Sequence, residues 1–133
     1  MIHDEIVTYE VAKLAKEKGF NVPIDRYYHI YDDVIEVRYS LEMTSDGCAD
    51  FYNSLNRCRC AAPTQSLLQR WLRDYGFGEA EVRHWPETNK YPHHYGWEVK
   101  DNLGDLMSFS SKMFDTYEQA LEDALKYTLE NLV

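Results

Sequence analysis

Cysteine and histidine are the residues of this 133-residue chain with the widest chemistry, and their spacing limits what they can do. Cys58-Arg59-Cys60 brings two sulfurs together, and His93-His94 adds two imidazoles. These are the ligand types of a zinc site. The cysteine spacing is tighter than the roughly two to four intervening residues such sites use, and adjacent histidines on a strand point to opposite faces. At most one of His93 and His94 joins any such centre. A cysteine nucleophile is the second option. However, no glycine-rich turn stands behind Cys48, Cys58 or Cys60, and Ala61-Ala62-Pro63 separates Cys60 from the helix that follows. Arg57 and Arg59 would favour a nearby thiolate, which raises reactivity without making an enzyme. Cysteine is also a common small buried hydrophobe. The expectation is a non-enzymatic chain, with no metal site and no cofactor.

Charge singles out a second group. The net charge is -9, yet Arg57 to Arg73 contains four arginines and no acid. Asp32 to Asp50 holds six acids against Arg38 alone, and the stretch from Asp115 holds five against Lys126. An acidic chain repels nucleic acid unless its cations are gathered in one place. Gln65, Gln69 and Arg73 recur every four residues, with Arg70 beside them, which predicts a polar helix stripe opposite the leucines. With Arg57 and Arg59, that stripe suits phosphates, base edges or a partner's carboxylates. The bland alternative is a solvated helix face whose arginines pair with the chain's own acids.

A third group runs from His84-Trp85-Pro86 through Tyr91-Pro92-His93-His94-Tyr95-Gly96-Trp97. Trp85, Tyr91, His93 and Tyr95 are its candidate binding residues. Aromatic loops stack on bases, sugars or prolines and anchor protein interfaces. Equally, this can be a hairpin whose alternate residues enter the core. Asp32-Asp33 and Glu122-Asp123 suit a turn and a solvated helix face better than acid–base pairs. No phosphate-binding glycine loop is present.

The elements that must position these groups follow from periodicity. Thr8 caps a first helix whose stripe is Val11, Leu14 and Ala15, and Gly19 ends it. Residues 27–31 and 35–39 predict a hairpin turning at Asp32-Asp33. Residues 42–60 show no clear period, beyond a short helical turn at 51–55. Leu67, Leu68, Trp71, Leu72 and Tyr75 line one face of a helix from Thr64 to Tyr75, stopped by Gly76. Residues 81–85, 95–100 and 106–110 predict three more strands. Asp115 with Glu118 predicts a capping box for the last helix, whose face is Ala120, Leu121, Ala124, Leu125, Thr128, Leu129 and Leu132. The predicted class is α+β, an antiparallel sheet of about five strands packed by two to three helices, in the order α-β-β-α-β-β-β-α.

A chain of this length suits one domain, here residues 1–133, and 44% hydrophobic residues are enough for a core without disulfides. Met1-Ile2-His3-Asp4-Glu5 lacks the basic and apolar regions of a signal peptide, and no apolar run reaches membrane-spanning length. Three cysteines and no secretory signal predict a cytoplasmic setting.

Ala62-Pro63-Thr64-Gln65-Ser66-Leu67-Leu68-Gln69-Arg70-Trp71-Leu72-Arg73 resembles the signature of small phage- and prophage-associated proteins of gut anaerobic bacteria. Ala12-Lys13-Leu14-Ala15-Lys16-Glu17-Lys18-Gly19-Phe20 and the helix from Tyr117-Glu118-Gln119-Ala120-Leu121 extend the likeness to about half the chain. The resemblance implies no assigned activity, so no site residue is carried over. Packing explains the leucines, Trp71, Pro63 and Thr64; it leaves Gln65, Gln69, Arg70 and Arg73 unexplained. The expected function is that of a phage-type accessory protein that binds a host or phage protein. The alternatives are nucleic-acid binding through residues 57–73, and a small cysteine- or metal-dependent enzyme.

Overall fold

The computed structural model of the chain describes residues 5–32, 34–39, 53, 59–86 and 94–133. The chain gathers into two compact units: an N-terminal unit of residues 6–64, and a C-terminal unit of residues 65–133 with the first five. Among the described residues the class is α+β, with three helices and two antiparallel sheets of three strands each. A single five-stranded sheet is therefore not observed, and the element order gains a strand, α-β-β-β-α-β-β-β-α.

In the N-terminal unit α1 (Tyr9–Glu17) precedes β1 (Arg26–Tyr31), β2 (Val34–Tyr39) and β3 (Arg59–Ala61), with β1 central. Thr8 caps α1 by accepting from the Val11 N–H at 3.4 Å. The helix ends as expected at Gly19, where φ is +97°. There the Phe20 N–H reaches the Ala15 carbonyl and the Gly19 N–H reaches that of Lys16, the two bonds of a Schellman stop. Asp32 turns the β1–β2 hairpin at φ +51°, within a two-residue loop closed by Tyr31 and Val34.

The unforeseen strand is β3, which pairs Cys60 with Tyr28 and Ala61 with Tyr27. Its burial follows from that pairing, not from any period of its own. Asn53 clamps it in place, accepting from the Ala61 N–H at 2.7 Å and donating to the Phe20 carbonyl at 2.6 Å. Val7, Val11, Ala12, Ala15, Phe20, Ile24, Cys60, Ala61 and Ala62 form the buried core of this unit.

The C-terminal unit runs α2 (Gln65–Asp74), β4 (Glu79–Trp85), β5 (His94–Lys100), β6 (Leu106–Phe109) and α3 (Tyr117–Asn131), with β5 central. Gly76, at φ +75°, ends α2 with the same pair of Schellman bonds that Gly19 makes for α1. Helix α3 is capped by Thr116, which accepts from the Gln119 N–H at 3.1 Å. This corrects the expected cap by one residue from Asp115: the hydroxyl stands in the extended position from which the first turn is reached. Both helices lie against one face of the sheet. Leu68, Trp71, Leu72, Ala80, Trp97, Val99, Ala120, Leu121, Ala124, Leu125, Thr128 and Leu129 are buried there. Gly78 lets β4 approach α3, because a β-carbon there would stand 2.9 Å from Leu132 Cδ1. No helix among the described residues is long and apolar enough to cross a membrane.

Candidate functional site

The register of β4 and β5 sorts the aromatic segment into two faces. Ala80 opposite Val99, and Val82 opposite Trp97, turn toward the helices. Trp97 donates its indole N–H to Asp123 on α3 at 2.9 Å and packs on Tyr127. One pair further along, His84 stacks on Tyr95, and Tyr95 meets the Tyr117 ring of α3 edge-on. Tyr95 thus belongs to the helix-covered side.

Within this unit and among the described residues, no helix packs on the other face. Trp85 lies across Gly96, whose missing β-carbon makes room: one placed there would fall 2.9 Å from Trp85 Cζ3. His94 stacks on the same indole, with ring centroids 5.5 Å apart. Phe109 pairs with Glu98 and so shares this face; a bulge between Val99 and Lys100 breaks the alternation of β6 and sets Leu106 opposite Lys100. Phe109 is 67% exposed and Trp85 42%.

Beside the rings runs a charge ladder. Arg83 donates from Nε and Nη2 to one oxygen of Glu98, and Lys100 Nζ stands 3.6 Å from Glu81 and 3.7 Å from Glu98. The Arg83 hydrogen bond, outweighing burial, holds the Glu98 carboxyl below its ordinary range. The arrangement is an aromatic platform edged by mutually paired charges.

Gln65 and Gln69 do not form the expected outward stripe. Gln65 is 4% exposed, and its amide donates to the Glu118 carbonyl at 2.8 Å and to Glu122 Oε2 at 2.9 Å. Gln69 donates to the Ala80 carbonyl at 2.5 Å, tying α2 to β4. Arg70 and Arg73 do reach solvent, and both approach Asp74, at 3.6 and 3.9 Å. Since α2 covers the opposite side of the sheet from Trp85, this face does not join the aromatic platform. Arg59 belongs to the N-terminal unit, its guanidinium 5.0 Å from the Tyr27 ring centroid. Along β1 the rings of Tyr27, His29 and Tyr31 follow one another 6.4 Å apart.

Cys60 is a core residue. Burial raises its thiol from an ordinary 9.0 to about 11 against the opposing effect of Lys16, so it is protonated at neutral pH. That is the reverse of an activated nucleophile. No cluster of three metal-ligating side chains occurs among the described residues. Arg57, Tyr91, His93, Cys48 and Cys58 lie outside the described residues.

Sequence reasoning passed over Gly96, Arg83, Glu98, Phe109 and Leu106. The signal for the first was available, since a glycine inside a predicted strand marks close approach of another group. No protein family, curated protein or solved structure matches the chain.

Proposed function

We propose that this chain is a non-enzymatic accessory protein of phage or prophage type that binds a partner protein through the helix-free face of β4–β5–β6. The observation that carries the reading is the seating of Trp85 on Gly96, with His94 stacked on it and Phe109 exposed on the same face of the sheet. Rigid aromatic rings with few torsions make efficient interface anchors, because little side-chain entropy is lost when they are covered. The flanking Arg83–Glu98 pair, exposed and internally satisfied, suits a rim that sets register rather than affinity. The test is capture by the tagged protein from infected or lysogenic host lysate, with and without nuclease. The same partner must be lost with Trp85→Ala plus Phe109→Ser, while circular dichroism stays unchanged. A partner retained by the double variant refutes this face as the site.

A second reading rests on the N-terminal unit, where Arg59 over Tyr27 and the row Tyr27, His29, Tyr31 suit stacked bases. It predicts binding to single-stranded oligonucleotides that weakens steeply with salt. A flat salt response ends it. The Arg70 and Arg73 part of the basic island gives this reading less support, as both arginines already approach Asp74.

A further inference from the structure

Strand β2 is the outer strand of the N-terminal sheet, pairing only with β1 among the described residues. Ile35 and Val37, on one face of this six-residue strand, are 45% and 40% exposed, and Val34 on the other face is 52% exposed. Such an edge is a template for another strand unless something blocks it. Strand β2 itself carries none of the residues that usually blunt an edge: it has no proline and no lysine, and its two charges, Glu36 and Arg38, are of opposite sign. Tyr31 and Val34 close the two-residue loop, so the alternation of an antiparallel ladder turns the N–H and C=O of Ile35 and Val37 away from β1.

We infer that two copies of this chain pair antiparallel along β2, with a two-fold axis perpendicular to the sheet at Val37. The sequence Ile35-Glu36-Val37-Arg38-Tyr39 is self-complementary in that register. Val37 meets Val37 of the second copy, Ile35 is paired with Tyr39, and Glu36 faces Arg38 twice, once on each side of the axis. Glu36 and Arg38 already form a pair within one strand, at 3.2 Å. Two copies therefore close a ring of four alternating charges. The axis keeps the α1-bearing face of both sheets on the same side, which restricts the register to even shifts. The neighbouring even registers set Glu36 against Glu36 or Arg38 against Arg38, and like charges directly opposite are unfavourable. The product is one six-stranded sheet, ordered β3-β1-β2-β2-β1-β3. A contact of one strand each lies well under the roughly 800 Å² per partner of a standard interface, so the dimer is weak and depends on concentration.

The experiment is analytical ultracentrifugation of the full chain across a wide concentration range. It uses the wild type, Glu36→Arg, Arg38→Glu and the double exchange. The wild type dimerises; each single variant sets two like-charge pairs across the axis and weakens dimerisation about tenfold or more; the double exchange restores it. Circular dichroism and thermal melts of the monomers stay alike, because both side chains are exposed. The inference is overturned by a wild type that stays monomeric at every concentration, by a dimer that neither single variant weakens, or by a double exchange that fails to rescue.

Discussion

Replacing Gln65 with methionine tests whether the glutamines of the APTQSLLQRWLR segment are architecture. Methionine keeps the length, the unbranched shape and the helix propensity, and removes the amide with its two donor hydrogens and its carbonyl acceptor. The amide bond to the Glu118 carbonyl is worth about 1 kcal/mol and the bond to the Glu122 carboxylate about 2 kcal/mol. Burying methionine's less polar end recovers about 1 kcal/mol of that. The expected net loss is about 2 kcal/mol, read by urea unfolding, with a melting point about 8 °C lower. Gln65→Glu should be worse at neutral pH, since it sets a second carboxylate within reach of Glu122. It should then recover as pH falls and one of the pair protonates. Arg70→Gln and Arg73→Gln serve as controls; exposed pairs of this length are worth at most about 0.5 kcal/mol. A Gln65→Met protein within about 0.5 kcal/mol of wild type would refute the reasoning and free the glutamine for another role.

Two further outcomes follow from the same structure. Gly96→Ala places a β-carbon 2.9 Å from both Trp85 Cζ3 and Ser110 Oγ. It should cost about 2 kcal/mol and shift tryptophan emission, whereas a silent substitution would mean Trp85 does not sit on Gly96. The Cys60 thiol is raised from 9.0 to about 11, so the unfolded chain ionises first as pH rises. Its stabilising effect is complete below pH 9 and fades toward pH 11, by up to about 3 kcal/mol. Comparing wild type with Cys60→Ala across that range isolates it from tyrosine and lysine titration, and parallel pH profiles would contradict the buried thiol.

Much of this was legible locally. Thr8 and Gly19 at the ends of α1, Gly76 after α2, the Asp32 turn and the strands β4, β5 and β6 all fall where short-range rules put them. Capping and turn geometry are satisfied within a few residues, so no distant partner is needed to read them. Thr116 instead of Asp115 shows the limit of that rule, because both residues carry a capping oxygen and the entry angle of the chain chooses between them.

What the sequence by itself determined is therefore the periodic elements, their stops and an α+β class. The tertiary structure alone decided that the strands fall into two sheets, because strand partners are chosen by contacts far apart in the chain. It made a strand of Arg59–Ala61, whose burial exists only once Tyr27 and Tyr28 lie beside it. It turned Gln65 inward, since a helix's polar stripe says nothing of the neighbour that supplies its carbonyl and carboxylate. The same long-range register separated Trp85 from Tyr95. A strand alternates sides at every residue, so two aromatics from one hairpin reach opposite faces according to the pairing alone.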